Sequence, residues 1–250
     1  MYERSKRLRI MAGPNGSGKS TILKEVRNNF YSGPFVNADE IEKSFKEKGL
    51  LNVAADFSIE FVNEAFRNYL DGEGSSWIDK AKNEGSLISL ESKENILLVK
   101  GAPNPYDAAL AADFIRYQLL KKGETFTFET VLSHPSKISF IKQSRAEGFK
   151  NYLYFICTVS PSINIDRVKQ RVQFGGHSVQ DKRIEKRYYK SLQVLPQLIP
   201  FCYRCYFFDN SSEQKSIEPV AVIHSDASLE IKVEELPWWI EEYVVNKLYK

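Results

Sequence analysis

The residues best suited to chemistry form one glycine-rich stretch near the start of the chain: Gly13, Pro14, Asn15, Gly16, Ser17, Gly18, Lys19 and Ser20. This stretch matches the phosphate-binding loop pattern G-x-x-x-x-G-K-[ST] at every fixed position. Its glycines let the backbone curl, so that successive N–H groups face inward and bind an anion. In such a loop Lys19 can reach the β- and γ-phosphates of a nucleotide, and the Ser20 hydroxyl can ligate Mg²⁺.

The segments on either side of this stretch support the same interpretation. Residues 8–12, which are apolar except for Arg9, predict a buried strand entering the loop, and residues 20–30 predict the helix that leaves it. The N-terminus of that helix, which includes Thr21, would point at the phosphates. The alternative is a glycine-rich turn that fits the pattern by chance, but the strand–loop–helix context favours a nucleotide site. We therefore predict that the chain binds ATP with Mg²⁺.

Two further segments carry polar residues where a predicted strand ends. Asp39 follows the predicted strand 34–37, and the carboxyl ends of strands are where open α/β sheets place their ligands. Asp39 could equally be the N-cap of the helix that it begins, and its position alone leaves both interpretations open. The β-rich segment 125–130 carries Glu129 and Thr130 at its exit.

Two arginine-bearing helices predict a mobile lid. The first begins at Pro161 and carries Arg167 and Arg171 four residues apart, which places them on one face. The second, residues 181–195, carries Arg183 and Arg187 at the same spacing. Gly175, Gly176 and His177 lie between the helices as a hinge, a typical arrangement for a closing lid. A solvated basic face is the alternative. The expected core stripe of the first helix is Ile165, Val168 and Val172.

Composition narrows the class of protein. A chain of 250 residues with a net charge of +3 suits one large α/β domain and does not favour nucleic-acid binding. We expect a cytoplasmic protein with no membrane partner, because no signal sequence or membrane-spanning run is evident. The three cysteines are Cys157, Cys202 and Cys205. They are too few for a disulfide framework, and we interpret them as buried structural thiols.

Residues 52–105 differ in pattern from the segments around them. An apolar stripe at helical spacing predicts a helix over 56–70, followed by a short helix over 76–83 and a hairpin over 87–91 and 95–99. The chain is thus predicted to be one kinase-type domain, residues 1–250, with a small α+β insertion at 52–105. Its apolar stripe must pack on its own hairpin, on the core or on a partner. The insertion either decorates the fold or restricts acceptor choice.

The motifs that are missing separate the classes of nucleotide protein. The guanine-reading motif N-K-x-D does not occur, and Asn210 follows Asp209 where an ATPase motor carries a catalytic glutamate. A small-molecule kinase needs only a base, a substrate-holding edge and lid arginines, for which Asp39, Glu129 and the lid are candidates. The first hypothesis is therefore an ATP-dependent kinase with a hydroxyl acceptor. The alternative is an ATP-binding module that hydrolyses ATP slowly and has no small-molecule acceptor.

Several stretches together resemble the zeta toxin kinases, and most closely the chromosomal branch described as predicted ATPases. They are residues 12–20, 36–41, 126–133, 167–171 with 175–179, 187–192 and 208–211. The resemblance covers most of the chain outside 52–105. It implies a P-loop kinase with an open, mostly parallel sheet. It also implies phosphorylation of the 3′-hydroxyl of UDP-N-acetylglucosamine, which is harmful unless an antitoxin blocks the ATP site.

The same resemblance assigns roles to individual residues. Asp39 matches the base of the family, and Lys19 matches the lysine of the phosphate loop. Glu129 and Thr130 match the substrate-holding pair, although here they are adjacent and no arginine follows them. Arg171 fits the first lid arginine. The second would fall near Gly176, so that Arg183 or Arg187 must take its place.

Overall fold

The computed structural model describes residues 6–176, 178–212 and 218–249. Two compact units make up the chain, one of Met1–Ser32 with Glu129–Lys250 and one of Gly33–Phe128. The hinge residue His177 and the first five residues fall outside the described residues.

The strands, in chain order, are β1 (Arg7–Ala12), β2 (Phe35–Val36), β3 (Leu50–Asn52), β4 (Leu90–Lys93), β5 (Ile96–Val99), β6 (Phe126–Thr130), β7 (Lys150–Cys157), β8 (Arg204–Asp209), β9 (Ala221–Ile223) and β10 (Leu229–Ile231). The helices are α1 (Lys19–Asn29), α2 (Ala38–Lys48), α3 (Val53–Phe57), α4 (Asn63–Asp71), α5 (Ser75–Asn83), α6 (Pro105–Lys122), α7 (Ser136–Ala146), α8 (Pro161–Gln173), α9 (Asp181–Leu198), α10 (Trp238–Ile240) and α11 (Asn246–Leu248). A 3₁₀ turn at Ile199–Phe201 and a π-helical turn at Glu241–Val245 complete the set.

The predicted fold class is confirmed. Seven of the described strands form one mostly parallel sheet flanked by helices. In the first unit β1, β7 and β8 are parallel neighbours, so that Ile10 lies opposite Leu153 and Leu153 opposite Cys205. β7 therefore has a strand on each side. A central strand of this kind is buried on both faces of the sheet, which explains its nearly all-apolar sequence. β9 pairs antiparallel with β8, and β10 pairs antiparallel with β9.

In the second unit, β2 pairs in parallel with β6, and β3, β5 and β4 form a separate antiparallel sheet. The predicted hairpin is present, with its turn at Glu94 and Asn95. The predicted single helix over 56–70 is wrong, because α3 ends at Ser58 in a left-handed conformation with φ of 57°. Phe61 then leaves the helical path, and its N–H donates to the Asn95 side chain at 2.7 Å. A tertiary hydrogen bond thus divides one apolar stripe between two helices.

The apolar stripe of residues 52–105 packs on α6. The Phe114 ring lies 4.9 Å from that of Phe61, 5.0 Å from that of Phe66 and 5.3 Å from that of Tyr69, centroid to centroid. Tyr69 also donates a hydrogen bond to Asp113 at 2.9 Å, and Asp113 pairs with Arg116. These contacts belong to one core within the second unit.

Phe114→Ala is expected to lower the free energy of unfolding by about 3–5 kcal/mol, because it leaves a cavity among three aromatic rings. Chemical denaturation read by circular dichroism would measure this loss. Val62→Ala, at a side chain that is 66% exposed, is the matched control and should cost less than about 0.5 kcal/mol. Equal losses for the two variants would mean that Phe114 does not hold this core.

The C-terminal segment becomes helical at Trp238. Pro237 disfavours the helical conformation for the residue before it, and residues 233–235 form bends. Trp239 is fully buried and packs on the rings of Phe155 and Phe207, and its indole N–H donates to Asp209 at 2.9 Å. The segment therefore packs on β7 and β8.

Cys157 and Cys205 are buried thiols, as predicted, whereas Cys202 is only half-buried. Burial raises the pKa of the Cys157 thiol to about 12, which keeps it protonated and unreactive. In the described ranges no helix has both the length and the apolar character needed to cross a bilayer.

Candidate nucleotide site

The glycine-rich stretch forms a tight loop between β1 and α1. Gly13, Gly16 and Gly18 have φ values of 141°, 76° and 96°, which side chains of L-residues rarely adopt. A Cβ on Gly13 would lie 2.0 Å from the Ile156 carbonyl oxygen, and one on Gly16 would lie 2.4 Å from the Asn164 carbonyl oxygen. Only glycine allows the loop to approach the neighbouring backbone this closely.

Three side chains from distant parts of the chain hold the loop. The Asn164 amide donates to the Asn15 carbonyl at 2.7 Å, and the Asn210 amide donates to the Ser17 carbonyl at 2.8 Å. Arg187 Nη1 donates to Asn15 Oδ1 at 3.3 Å. The first two bonds engage backbone carbonyl groups of the loop, and the third holds the Asn15 side chain, so that the loop is fixed at both Asn15 and Ser17.

The role of Asn164 was not predicted from the sequence, and Asn210 was noted only as part of a motif. Val172 was expected in the buried stripe of α8, but its side chain is 36% exposed, and Asn164 is fully buried instead. Asn164 lies four residues before Val168, on the same face of the helix. A polar residue on an otherwise buried face was therefore the signal in the sequence that could have indicated its role. Its Oδ1 accepts from the Thr158 hydroxyl, which satisfies the buried amide.

Lys19 lies inside the loop and is only 6% exposed. Its ammonium group donates to the Gly13 carbonyl at 3.0 Å and to the Pro14 carbonyl at 2.9 Å, and it lies 3.5 Å from Glu129 Oε1. The Ser17 hydroxyl is buried with no hydrogen-bond partner. A buried cation, an unpartnered hydroxyl and glycine positions that a Cβ would fill are what a nucleotide polyphosphate requires, so the residues fit ATP.

Glu129→Gln is expected to strengthen ATP binding by about fivefold. The wild-type carboxylate pairs with Lys19 at 3.5 Å and repels phosphate, and a partly exposed pair of this kind contributes about 1 kcal/mol. Titration calorimetry with ATP would measure the change. Weaker ATP binding in this variant would show that Glu129 supports the nucleotide rather than competing for Lys19.

Ser20 and Thr21 are exposed in the first turn of α1, next to Lys19. The Ser20 hydroxyl is thus accessible to a metal ion that also binds phosphate. In the part of the chain that the structure describes, no three His, Cys, Asp or Glu side chains cluster as a protein-only metal site.

Of the four lid arginines, the structure brings Arg187 to the loop through Asn15. We call the contacts of Asn164, Arg187 and Asn210 with the loop the clamp. Arg167 donates to the Asn210 carbonyl at 2.6 Å and so supports this clamp. Arg171 and Arg183 are exposed on α8 and α9. The Arg171 carbonyl accepts the Gly176 N–H at 3.0 Å, which ends α8 in a tight glycine turn. The motion of the lid stays a prediction.

Arg171→Lys is expected to lower turnover by about 10- to 100-fold and to leave ATP affinity within about twofold. Lysine keeps the charge but loses the planar fork that binds a transferring phosphate in two places. Steady-state kinetics and ATP titration would separate the two effects. Arg183→Lys should change neither quantity. A loss of ATP affinity without a loss of turnover at saturation would make Arg171 a ground-state ligand.

Asp39 lies in the first turn of α2, in the second unit, and is exposed. Asn37 is the N-cap of this helix, because its side chain accepts the Asp39 N–H at 2.8 Å. The interpretation of Asp39 as the cap is therefore wrong, and its carboxylate is not used in that way. Its role as a base stays a prediction.

The exit of β6 joins the predicted substrate edge to the loop. The Gly13 N–H donates to the Thr130 carbonyl at 3.3 Å, and Thr130 Oγ1 accepts the Leu132 N–H at 3.1 Å. Leu132 is buried with φ of 57°, a strained conformation for leucine. Glu129 and Thr130 are thus fixed beside the loop, whereas their contact with an acceptor stays a prediction.

Comparison with solved structures places this geometry in a known fold. One chain of the AvrRxo1-ORF1:AvrRxo1-ORF2 complex with sulphate ions is similar at a TM-score of 0.57 and 13% identity. The match covers 98% of this chain but 65% of that one, so this chain spans about two-thirds of its length. A provisionally assigned kinase from Chloroflexus aurantiacus has a TM-score of 0.50 and 13% identity, with 86% and 94% of the two chains covered.

A third structure, from the PezAT chromosomal toxin–antitoxin system of Streptococcus pneumoniae, has a TM-score of 0.48 and 11% identity over 97% and 80% of the chains. By sequence, 122 residues are 28% identical to an uncharacterised protein of Haemophilus influenzae, over 47% of this chain and 86% of that protein. No family model matches the chain. The likeness to the first two structures shows the fold alone, a mostly parallel sheet flanked by helices.

Proposed function

We propose that the chain is an ATP-dependent kinase that phosphorylates a hydroxyl of a small, nucleotide-linked metabolite. The observation that carries this proposal is the loop interior, where Lys19 is buried on backbone carbonyls beside Glu129 and the Ser17 hydroxyl has no partner. The resemblance to zeta toxin kinases makes the 3′-hydroxyl of UDP-N-acetylglucosamine the first acceptor to test.

The proposed cofactors are ATP and Mg²⁺. A further structure of the AvrRxo1-ORF1:ORF2 complex contains ATP and is similar to this chain at a TM-score of 0.53, with 14% identity. When bound, Mg·ATP supplies the transferable phosphoryl group. In this chain, residues 13–21 would hold it, with Ser20 as the metal ligand.

Each protein group would have a defined part in the transfer. Asp39 would orient the acceptor hydroxyl and take its proton as the oxygen attacks the γ-phosphorus. Lys19, Arg171 and Arg187 would neutralise the negative charge that spreads over the transferring group. Glu129 and Thr130 would hold the acceptor beside the loop.

The test is to incubate the purified protein with γ-labelled ATP, Mg²⁺ and either UDP-N-acetylglucosamine or a bacterial metabolite extract. Transfer of label to a small molecule, lost in Lys19→Met, supports the kinase. Release of labelled phosphate alone would instead support the binding module with slow hydrolysis. A product from the extract but none from UDP-N-acetylglucosamine would keep the kinase and exclude that acceptor.

A protein partner of the antitoxin kind is also proposed, since AvrRxo1-ORF1:ORF2 is a two-component complex and PezAT is a toxin–antitoxin system. Such a partner would cover the ATP loop. For residues 52–105 the proposal is control of acceptor choice. Deleting the whole insertion would expose Phe114, so exposed positions such as Leu87, at 76%, are better sites for testing that role.

A further inference from the structure

One face of the sheet in the first unit carries cationic and aromatic side chains instead of an apolar layer. Arg9 on β1 lies opposite Tyr152 on β7, and Tyr152 lies opposite Arg204 on β8. Tyr154 and Tyr206 occupy the next register position on the same face. We call these five residues the arginine–tyrosine face. It takes no part in the nucleotide chemistry described above.

Arg9 is buried without a counter-charge. Its side chain is 4% exposed, and Nη1 is buried with no hydrogen-bond partner. The guanidinium carbon lies 6.0 Å from the Tyr152 ring centroid, and no described carboxylate forms an ion pair with Arg9. Burial raises the pKa of Tyr154 to about 12, while Arg9 beside it acts in the opposite direction. A buried cation that has no ion-pair partner among the described residues is expensive to keep.

Arg204 repeats the pattern nearer the surface. It is half-buried, its Nε is buried without a partner among the described residues, and its Nη1 donates a long 3.5 Å hydrogen bond to the Tyr206 hydroxyl. The described residues provide no carboxylate for this guanidinium either. Two arginines with unused N–H groups therefore flank Tyr152, and Tyr152 and Tyr206 are both half-buried. An anion approaching Arg204 would also meet the charge of Arg9.

A mostly apolar cavity adjoins this face. Tyr154 and Tyr206 stack on each other at 5.1 Å, and both line a cavity of about 200 Å³ together with Phe208 and Val26. Two polar residues of α1, Glu25 and Asn29, also line it, so the aromatic body and not the oxyanion would occupy this space. A cavity of this volume has room for an aromatic ring. The face thus combines charged donors with a space for an apolar body.

We propose that the arginine–tyrosine face binds an oxyanion group, a carboxylate or a phosphate monoester, that is carried on an aromatic body. Arg204 would contact the oxyanion directly, because guanidinium N–H groups match its geometry. Arg9 would supply the uncompensated positive charge behind it, and the aromatic body would enter the cavity beside Tyr154 and Tyr206.

The test uses benzoate and phenyl phosphate as probes, with benzamide as the neutral control. The readouts are the Nε–Hε NMR signals of Arg9 and Arg204 and the midpoint of thermal unfolding. At a concentration about ten times the Kd, we expect a bound anion to raise the midpoint by roughly 3–6 °C. Binding of benzoate alone would identify a carboxylate ligand, and binding of phenyl phosphate alone would identify a phosphate ligand. Binding of neither would overturn the proposal.

Four variants make the test specific. Arg204→Met should abolish the response, whereas Lys19→Met should keep it, which excludes binding in the phosphate loop. Lys80→Met removes a cation 5.3 Å from the Trp77 ring and should change nothing.

Arg9→Met should lose the response and leave the ligand-free midpoint unchanged or higher. A lower ligand-free midpoint would show that Arg9 is a structural residue, and a response that persists in Arg204→Met would place binding elsewhere. Either result would overturn the proposal.

Discussion

Gly13→Ala is expected to abolish detectable ATP binding, with a loss of at least about 100-fold in affinity. The new Cβ would lie 2.0 Å from the Ile156 carbonyl oxygen and 3.1 Å from Ser17 Oγ, at a φ of 141° that alanine rarely adopts. The loop must then move away from β7, and its bonds to Asn210 and Asn164 break with it. We also expect the free energy of unfolding to fall by about 2–4 kcal/mol.

Gly148→Ala is the matched control for this substitution. Gly148 also has a positive φ, of 85°, but a Cβ there would have no atom within 4 Å. The cost should be about 1 kcal/mol, from backbone conformation alone, and ATP affinity should not change. Titration calorimetry and urea denaturation of the two variants would measure both quantities. If Gly13→Ala binds ATP as well as Gly148→Ala does, the loop is not the nucleotide site.

Asp39→Asn is expected to lower turnover by about 10²–10⁴-fold and to leave ATP affinity nearly unchanged. Asparagine keeps the size and hydrogen bonds of the side chain but cannot accept the proton of the acceptor hydroxyl. The helix should survive the change, because Asn37 and not Asp39 is its N-cap. Single-turnover kinetics on the true acceptor would measure the effect.

Glu47→Gln is the control on the same helix. Glu47 is 56% exposed and pairs only with Lys43 at 3.8 Å, a surface contact worth about 0.3–0.5 kcal/mol. Its loss should leave turnover within about twofold. Unchanged turnover in Asp39→Asn would remove Asp39 from the mechanism and move the search for the base to other carboxylates.

The phosphate loop could be predicted because its information is local. Its glycines, lysine and serine are consecutive, and the strand before and the helix after it follow from short apolar patterns. The parallel sheet could be predicted for the same reason, because the apolar composition of β7 indicates a strand that is buried on both faces. The roles of Lys19 and Ser20 follow from position within the loop.

The clamp around the loop could not be predicted in this way. Asn164 and Asn210 meet Asn15 and Ser17 across 149 and 193 residues of sequence, and nothing local marks an asparagine as such a partner. A tertiary contact also sets a helix boundary that the sequence did not predict. The Asn95 side chain accepts a hydrogen bond from the Phe61 N–H, and this bond separates α3 from α4. The arginine–tyrosine face went unnoticed because its members are alternate residues of three separated strands.

The same clamp has a consequence for the order of events during synthesis. The loop is translated early, but the residues that hold it are translated much later. Asn164 and Arg187 lie 149 and 172 positions after Asn15, and Asn210 lies 193 positions after Ser17. At about 5–20 residues per second, the last of these arrives roughly 10–40 s after the loop itself. Until then Ser17 and Asn15 lack the partners that orient their carbonyls. A nascent chain therefore carries the complete ATP motif for most of its synthesis without the shape that binds ATP.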